Sequence, residues 1–423
     1  MNSTTLQDVF RSSFSNYSRQ RKLPLKHYKA AQAIMSCRTA AQGGHIQKCP
    51  LDHESRIQYH SCRHRSCPLC NAVPKEQWVQ NQMKRLLPVR HFHLIFTLPH
   101  ELLPVWRYNQ RWMTQNLFAV VADTLMTLSS DGRHLGALPG LLMNIHTWGR
   151  NLSLHPHIHC LMTGGGLTEA GEWRETRRAF LFPSRIVRGI YRGKFLAALN
   201  AGLGSGKLQL PDTMTESAFQ RMLRQLSKQS WHVRIQPPYA HGNGVMKYLA
   251  RYVKGGPIQN HRIRSSGANS IQFSYRDHRD KSVKTQCLST EQFMGRVLEH
   301  VSESKQHTVR SYGLYGHKSK GKRKCCRETL KVGAEMETTT LKWSDYIDHA
   351  TEKTLGKCRQ CGRRLIRGGV INKNSILKTS GSGYVQQGVE VDVDQRFRLP
   401  GKPPDESVWL KKFSPDRRNL TKR

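Results

Sequence analysis

Two tyrosines one helical turn apart and a strand of alternating histidines are the residues of this 423-residue chain best suited to chemistry. In His155-Pro-His157-Ile-His159, side chains alternate across a strand, so His157 and His159 share a face. Two imidazoles so placed can bind one divalent ion, and that ion can draw charge from a phosphate oxygen as a Lewis acid. His155, displaced by any bend at Pro156, and His146 on the preceding strand are the two candidates for a third ligand. In Tyr248-Leu-Ala-Arg-Tyr252 the tyrosines stand at i and i+4, on one side of a helix. A tyrosine can attack phosphorus and hold a nucleic-acid end as a phosphotyrosine, conserving the phosphodiester energy for rejoining. Lys247, Arg251 and Lys254 add positive charge for a phosphate backbone. Taken singly, each motif also suits ordinary packing, as buried histidines or an amphipathic helix.

A second chemistry lies in the cysteines. Cys67-x-x-Cys70 has zinc-knuckle spacing, and Cys49 and His53 complete a tetrahedral set, with Cys62 and His45 as competing ligands. Such a closed site is structural and would steady a small domain gripping DNA through Arg63 and Arg65. Cys358-x-x-Cys361 is half of a second zinc site. Cys37, Cys160 and Cys287 read as small buried residues. Without a secretory signal, the eleven cysteines point to a reducing cytoplasm and zinc rather than disulfides.

Composition narrows the partner. A formal net charge of +39 favours a polyanion, because each neutralised phosphate releases counterions. No apolar run is long enough to span a bilayer, so DNA is expected and a membrane is not.

The elements that must position these residues suggest α+β, mainly an antiparallel sheet with flanking helices, preceded by a small zinc-binding domain. Residues 1–88 form that zinc-binding, DNA-contacting segment, with helices expected over 17–42 and 74–87. Residues 89–316 carry the catalytic core. Strands are expected over 91–99, 141–148, 152–162, 231–238 and 270–278, and helices over 106–128, 215–230, 243–256 and 288–301. Residues 317–423 are basic, with a small module at Cys358 and a charge-rich tail.

The ordered blocks SCRHRSCPLC, FHLIFTLPHEL, HTWGRNLSLHPHIHCL, GGGL, KYLARYV and FSYRD…LSTEQFMGRVLEHV…VRSYGLY resemble the two-tyrosine HUH transposases of rolling-circle insertion sequences, the insertion sequence 91 type. The resemblance spans residues 30–316. It implies a Rep-like HUH nuclease domain, with magnesium or manganese seated by His157 and His159 and with Tyr248 and Tyr252 as nucleophiles. It also implies cleavage of single-stranded DNA at the ends of a mobile element, leaving a 5′-phosphotyrosine and a free 3′-hydroxyl. A bacterial, cytoplasmic, nucleoid-associated protein follows from it. The family usually has a cysteine pair where this chain has Cys49, Asp52 and His53. The competing readings are a non-catalytic zinc-containing nucleic-acid-binding protein and a metallohydrolase in which water attacks.

Overall fold

The computed structural model describes residues 4–176, 181–239, 256–267, 269–277, 280–333, 356–373, 385–386 and 389–390. The expected helix over 243–256, with Lys247, Tyr248, Arg251, Tyr252 and Lys254, falls outside the described residues apart from its last position.

The chain opens with α1 (Leu6–Arg19) and α2 (Leu25–Ser36). Thr5 and Asp8 form a capping box at α1, satisfying two of the backbone donors that a helix start leaves over. The helix expected over 17–42 is shorter: α2 begins only after Pro24, its extended N-cap, and ends at Ser36, whereas α1 lies almost wholly before that range. Strands β1 (Gly44–Lys48) and β2 (Ser55–Tyr59) follow, then α3 (Ala72–Arg85). Next come β3 (His91–Thr97), α4 (Leu103–Tyr108) and α5 (Gln110–Ser130). The long strands β4 (Leu138–Trp148) and β5 (Leu154–Leu167) lead to β6 (Trp173–Glu175). Helices α6 (Ser184–Gly204) and α7 (Glu216–Lys228) precede β7 (Val233–Ile235). Then come β8 (Ile263–Ser266), β9 (Ser270–Arg276) and β10 (Val283–Ser289). Helix α8 (Thr290–Glu299) starts from a capping box made by Ser289 and Gln292. The strand β11 (Val309–Gly313), the helix α9 (Lys320–Thr329) and the strand β12 (Ile366–Ile371) complete the set used below.

The chain is α+β with antiparallel sheets and flanking helices. The main sheet has the order β11-β4-β5-β3-β7, with β6 paired to β5. Residues opposite one another in an antiparallel ladder share a face, so register assigns the faces. One face carries Leu94, Phe96, Met143, Ile145, Ile158 and Cys160, and it packs with Leu117, Val121 and Leu125 of α5. Val187, Tyr191, Phe195 and Leu199 of α6 recur every four residues and close the same core. The other face is apolar at one end, where Leu142 and Leu161 meet Leu87, Leu314 and Tyr315. At its other end it carries histidines.

A second core joins the start of the chain to its middle. Phe10, Phe14 and Ile34 of α1 and α2 pack with Ile271 and Phe273 of the β10-β9-β8 sheet and with Phe293 and Val297 of α8. The helices of the first segment therefore share an apolar interior with residues 258–301. A third sheet, β12-β1-β2, pairs the C-terminal module with the first segment.

Candidate functional site

The histidine centre is built by register. His146 of β4 stands opposite His157 of β5, and Asn144 stands opposite His159, so all four side chains share the polar face. One ring nitrogen each from His146, His157 and His159 lies within 4.8 Å of the other two. The Nε2 atoms of His157 and His159 are 3.1 Å apart. His157 donates its Nδ1–H to the His155 carbonyl at 2.6 Å, which leaves the Nε2 lone pair free for an ion. His159 Nδ1 meets His93 Nε2 at 2.9 Å, so His93 can accept a hydrogen bond from that nitrogen, with the His159 proton on Nδ1. The Asn144 amide holds the His146 ring through Nε2 at 2.8 Å, and Trp148 stacks on the same ring.

Electrostatics keeps these rings neutral. Burial pulls His157 down to about 4, with smaller effects from the neighbouring histidines. Burial likewise sets His146 and His159 well below the ordinary imidazole range. Neutral imidazoles are the state a cation requires. The Asn144 Oδ1 is also buried without a hydrogen-bond partner, a polar atom left over beside the trio. The donor set thus fits a divalent metal.

Of the two candidate third ligands, the structure brings His146 to the centre. His155 is outside the trio and pairs with His100 across 3.2 Å. His93 and Asn144 were missed in the sequence. His91-x-His93 repeats the alternation of the recognised motif and was the available signal. Nothing in spacing marks Asn144.

The cysteines regroup. Cys37, Cys62, Cys67 and Cys70 bring their sulfurs within 4.8 Å of one another. Cys62 and Cys70 sulfurs are 3.6 Å apart, and the His64 amide donates to Cys62 Sγ at 3.4 Å. The side chain of Asn71 donates to the carbonyls of His64, Arg65 and Cys67, holding the loop between the cysteines. Gln7 donates to the carbonyl of Cys37 and so ties α1 to the ligand after α2. Cysteine contacts draw the Cys37 thiol far below its usual range and drive Cys67 far above it, as expected for thiols crowded on one point. Four sulfurs so gathered fit tetrahedral zinc.

Cys49 and His53 are not part of that set. They lie with Cys358 and Cys361, again within 4.8 Å. The expectation that Cys49 and His53 would join Cys67 and Cys70 gives way because β1 and β2 carry the first pair to β12, away from the second. His45 belongs to neither cluster and sits 3.5 Å from His60. Cys37, expected to be merely buried, is a member of the four-sulfur group; Cys160 is buried in the sheet core and Cys287 is exposed. Arg63 and Arg65 are both exposed, and Arg65 donates to Ser302 and to the Gln306 carbonyl.

The fold and these sites define an α+β protein built around cysteine clusters, with a separate imidazole centre on its main sheet. A family described as "Transposase zinc-binding domain" matches residues 9–98, and one described as "Putative transposase" matches residues 140–323. The chain is 34% identical over 363 residues to the putative transposase y4qJ of Sinorhizobium fredii, covering 84% of this chain and 91% of that protein. It is 28% identical over 345 residues to the transposase for insertion sequence element IS801 of Pseudomonas savastanoi pv. phaseolicola, covering 79% and 81%. No solved structure matches the chain. The chain belongs to the insertion sequence 91 type transposase family. The zinc-binding domain and the cysteine clusters support structural zinc. Among the described residues no helix is long and apolar enough to cross a membrane.

Proposed function

We propose that this transposase nicks and rejoins single-stranded DNA by tyrosine transesterification at the histidine centre, mobilising an insertion sequence by a rolling-circle-like route. The observation that carries the reading is the convergence of three neutral imidazoles, His146, His157 and His159, on one face of a rigid sheet. A divalent ion held there would polarise the scissile phosphate and steady the charge on the leaving oxygen. An all-imidazole trio is softer than the oxygen shell magnesium prefers, which favours manganese of the two.

Tyr248 or Tyr252 supplies the nucleophile. Its hydroxyl oxygen bonds to phosphorus as the bond from phosphorus to the 3′-oxygen breaks. The proton lost by the tyrosine balances the one gained by that 3′-oxygen. The product is a 5′-phosphotyrosine and a free 3′-hydroxyl, and a later strand's hydroxyl reverses the step. Lys247, Arg251 and Lys254 hold the backbone, and Arg234, across the ladder from Ile95 on the face of His93 and His159, adds charge nearby. Cys37, Cys62, Cys67 and Cys70 hold a structural zinc, with Arg63 beside it for DNA.

The test is a denaturing gel of labelled single-stranded DNA carrying the element's ends, with manganese. The native protein should yield a covalent protein–DNA band. Replacing both Tyr248 and Tyr252 by Phe should remove it, and His157→Ala should do the same. An undiminished band from the double tyrosine variant ends the proposal. Nicking without any covalent band assigns the attack to water, and neither band nor nick leaves a zinc protein that only binds nucleic acid.

A further inference from the structure

We propose that Cys49, His53, Cys358 and Cys361 hold a second zinc ion, which clasps the C-terminal module onto the start of the chain. This site is independent of the tyrosine chemistry. Cys49 Sγ and Cys361 Sγ are 3.5 Å apart although 312 residues separate them, and Cys358 Sγ lies 4.0 Å from His53 Nδ1. Sulfurs at 3.5 Å are too far apart for a disulfide, which holds them at about 2.05 Å, and are spaced as ligands of a shared ion.

Each half of the site is a metal knuckle. In the first, Asp52 N–H donates to the Cys49 carbonyl and Leu51 N–H donates to Cys49 Sγ at 3.4 Å, with Asp52 in the left-handed region at φ 53°. In the second, Gly362 N–H donates to the Cys358 carbonyl, and Gly362 takes φ 68°, a conformation that favours glycine. Amide donors aimed at sulfur favour the thiolate that zinc needs.

Contacts around the four ligands fix the two knuckles together. Arg359 N–H donates to Glu54 Oε1 at 2.7 Å, and the Arg56 guanidinium donates to the Lys357 carbonyl at 3.0 Å. Beyond them β12 pairs with β1, from Gly44 opposite Ile371 to Lys48 opposite Ile366. Three thiolates and one imidazole form a closed structural set. Because His53 is exposed and Cys361 half-buried, this zinc lies nearer to solvent than the ion of the four-cysteine cluster, three of whose ligands are buried.

The test uses the full chain, purified under reducing conditions, with zinc measured by mass spectrometry. The double variant Cys358→Ser/Cys361→Ser should hold one zinc fewer per chain than the native protein. Its β12 amides should exchange hydrogen faster while those of β4 and β5 do not. His53→Cys, which keeps four ligands, should retain the ion. After cobalt substitution it should lose the absorption of a three-sulfur, one-nitrogen site and gain that of a four-sulfur site. Equal zinc content in the native and double-variant chains would overturn the proposal. So would a Cys49–Cys361 disulfide in the native, reduced preparation.

Discussion

His93 Nε2 lies 2.9 Å from His159 Nδ1, across two adjacent strands of the main sheet. Burial holds His93 down to about 4, so its ring stays neutral and can accept a proton from His159. With His93 as acceptor, His159 carries its proton on Nδ1 and its Nε2, 3.1 Å from His157 Nε2, is unprotonated. Replacing His93 by Ala should weaken manganese binding by roughly 10–100-fold, the usual effect of losing a ligand's supporting partner. Nicking at saturating manganese should change far less, and His93→Gln should recover part of the affinity by offering an oxygen acceptor. A manganese titration of nicking reads both. An unchanged manganese requirement in His93→Ala would sink the assignment.

Acid should destabilise the protein through buried histidines outside the imidazole trio. Burial lowers His91 and His300 to about 4 from an ordinary 6.5. His91 donates to the Val89 carbonyl, and His300 is placed to donate to the Leu152 carbonyl. Between pH 6.5 and 4 the unfolded chain binds protons that the folded chain refuses. Stability is therefore level above 6.5 and falls as pH drops through the window, by on the order of 3 kcal/mol for each ring. Urea unfolding at pH 7, 5.5 and 4.5 measures this. His300→Gln should flatten the profile, and a native profile without slope would contradict it.

Tyr315 is pinned between two strangers in sequence. Its hydroxyl is placed to donate to His91 Nε2 at 2.6 Å and accepts from the Leu87 amide at 3.2 Å. Tyr315→Phe leaves both buried partners unsatisfied and should cost roughly 2 kcal/mol. Thermal unfolding should show the loss, with the fold retained by circular dichroism. A shift within error would mean that water replaces the hydroxyl.

Gly202 marks where α6 crosses α5. A Cβ there would come within 2.3 Å of the Trp112 ring. Gly202→Ala should destabilise by about 1–3 kcal/mol, against the ordinary gain of alanine in a helix. Gly189 has nothing within 4 Å, so Gly189→Ala is the matched control and should stabilise. Equal effects at both positions would show that the helix pair slides apart freely.

Parts of this arrangement are legible in residues alone. The alternation around Ile158 places His157 and His159 together, and the strand turn at Gly149–Asn151 makes His146 reachable. The first zinc cluster is half legible, since Cys67 and Cys70 sit on one knuckle. Cys37 has no such mark, because it arrives from the end of α2 and is placed by packing of the N-terminal helices. The grouping of Cys49 with Cys361 depends on strand pairing across 312 residues, which local spacing does not encode. Helix α6 was not anticipated because Gly189, Gly193, Gly202 and Gly204 blur its pattern; the four-residue recurrence of Val187, Tyr191, Phe195 and Leu199 holds it. Pro24 delays the start of the helix expected from residue 17 until Leu25, a backbone restriction that outweighs an apparent continuity.

The pairing of β1 with β12 sets an order of events during synthesis. Translation delivers β1 and β2 early, and β1 then keeps one edge open until residues 366–371 leave the ribosome. An open edge is a template for wrong partners. A chain that stops before residue 358 would also carry only Cys49 and His53 of the four grouped ligands. Prematurely ended products of such a gene therefore remain marked by an exposed strand edge and a half-made metal site, and the full-length chain alone can conceal both.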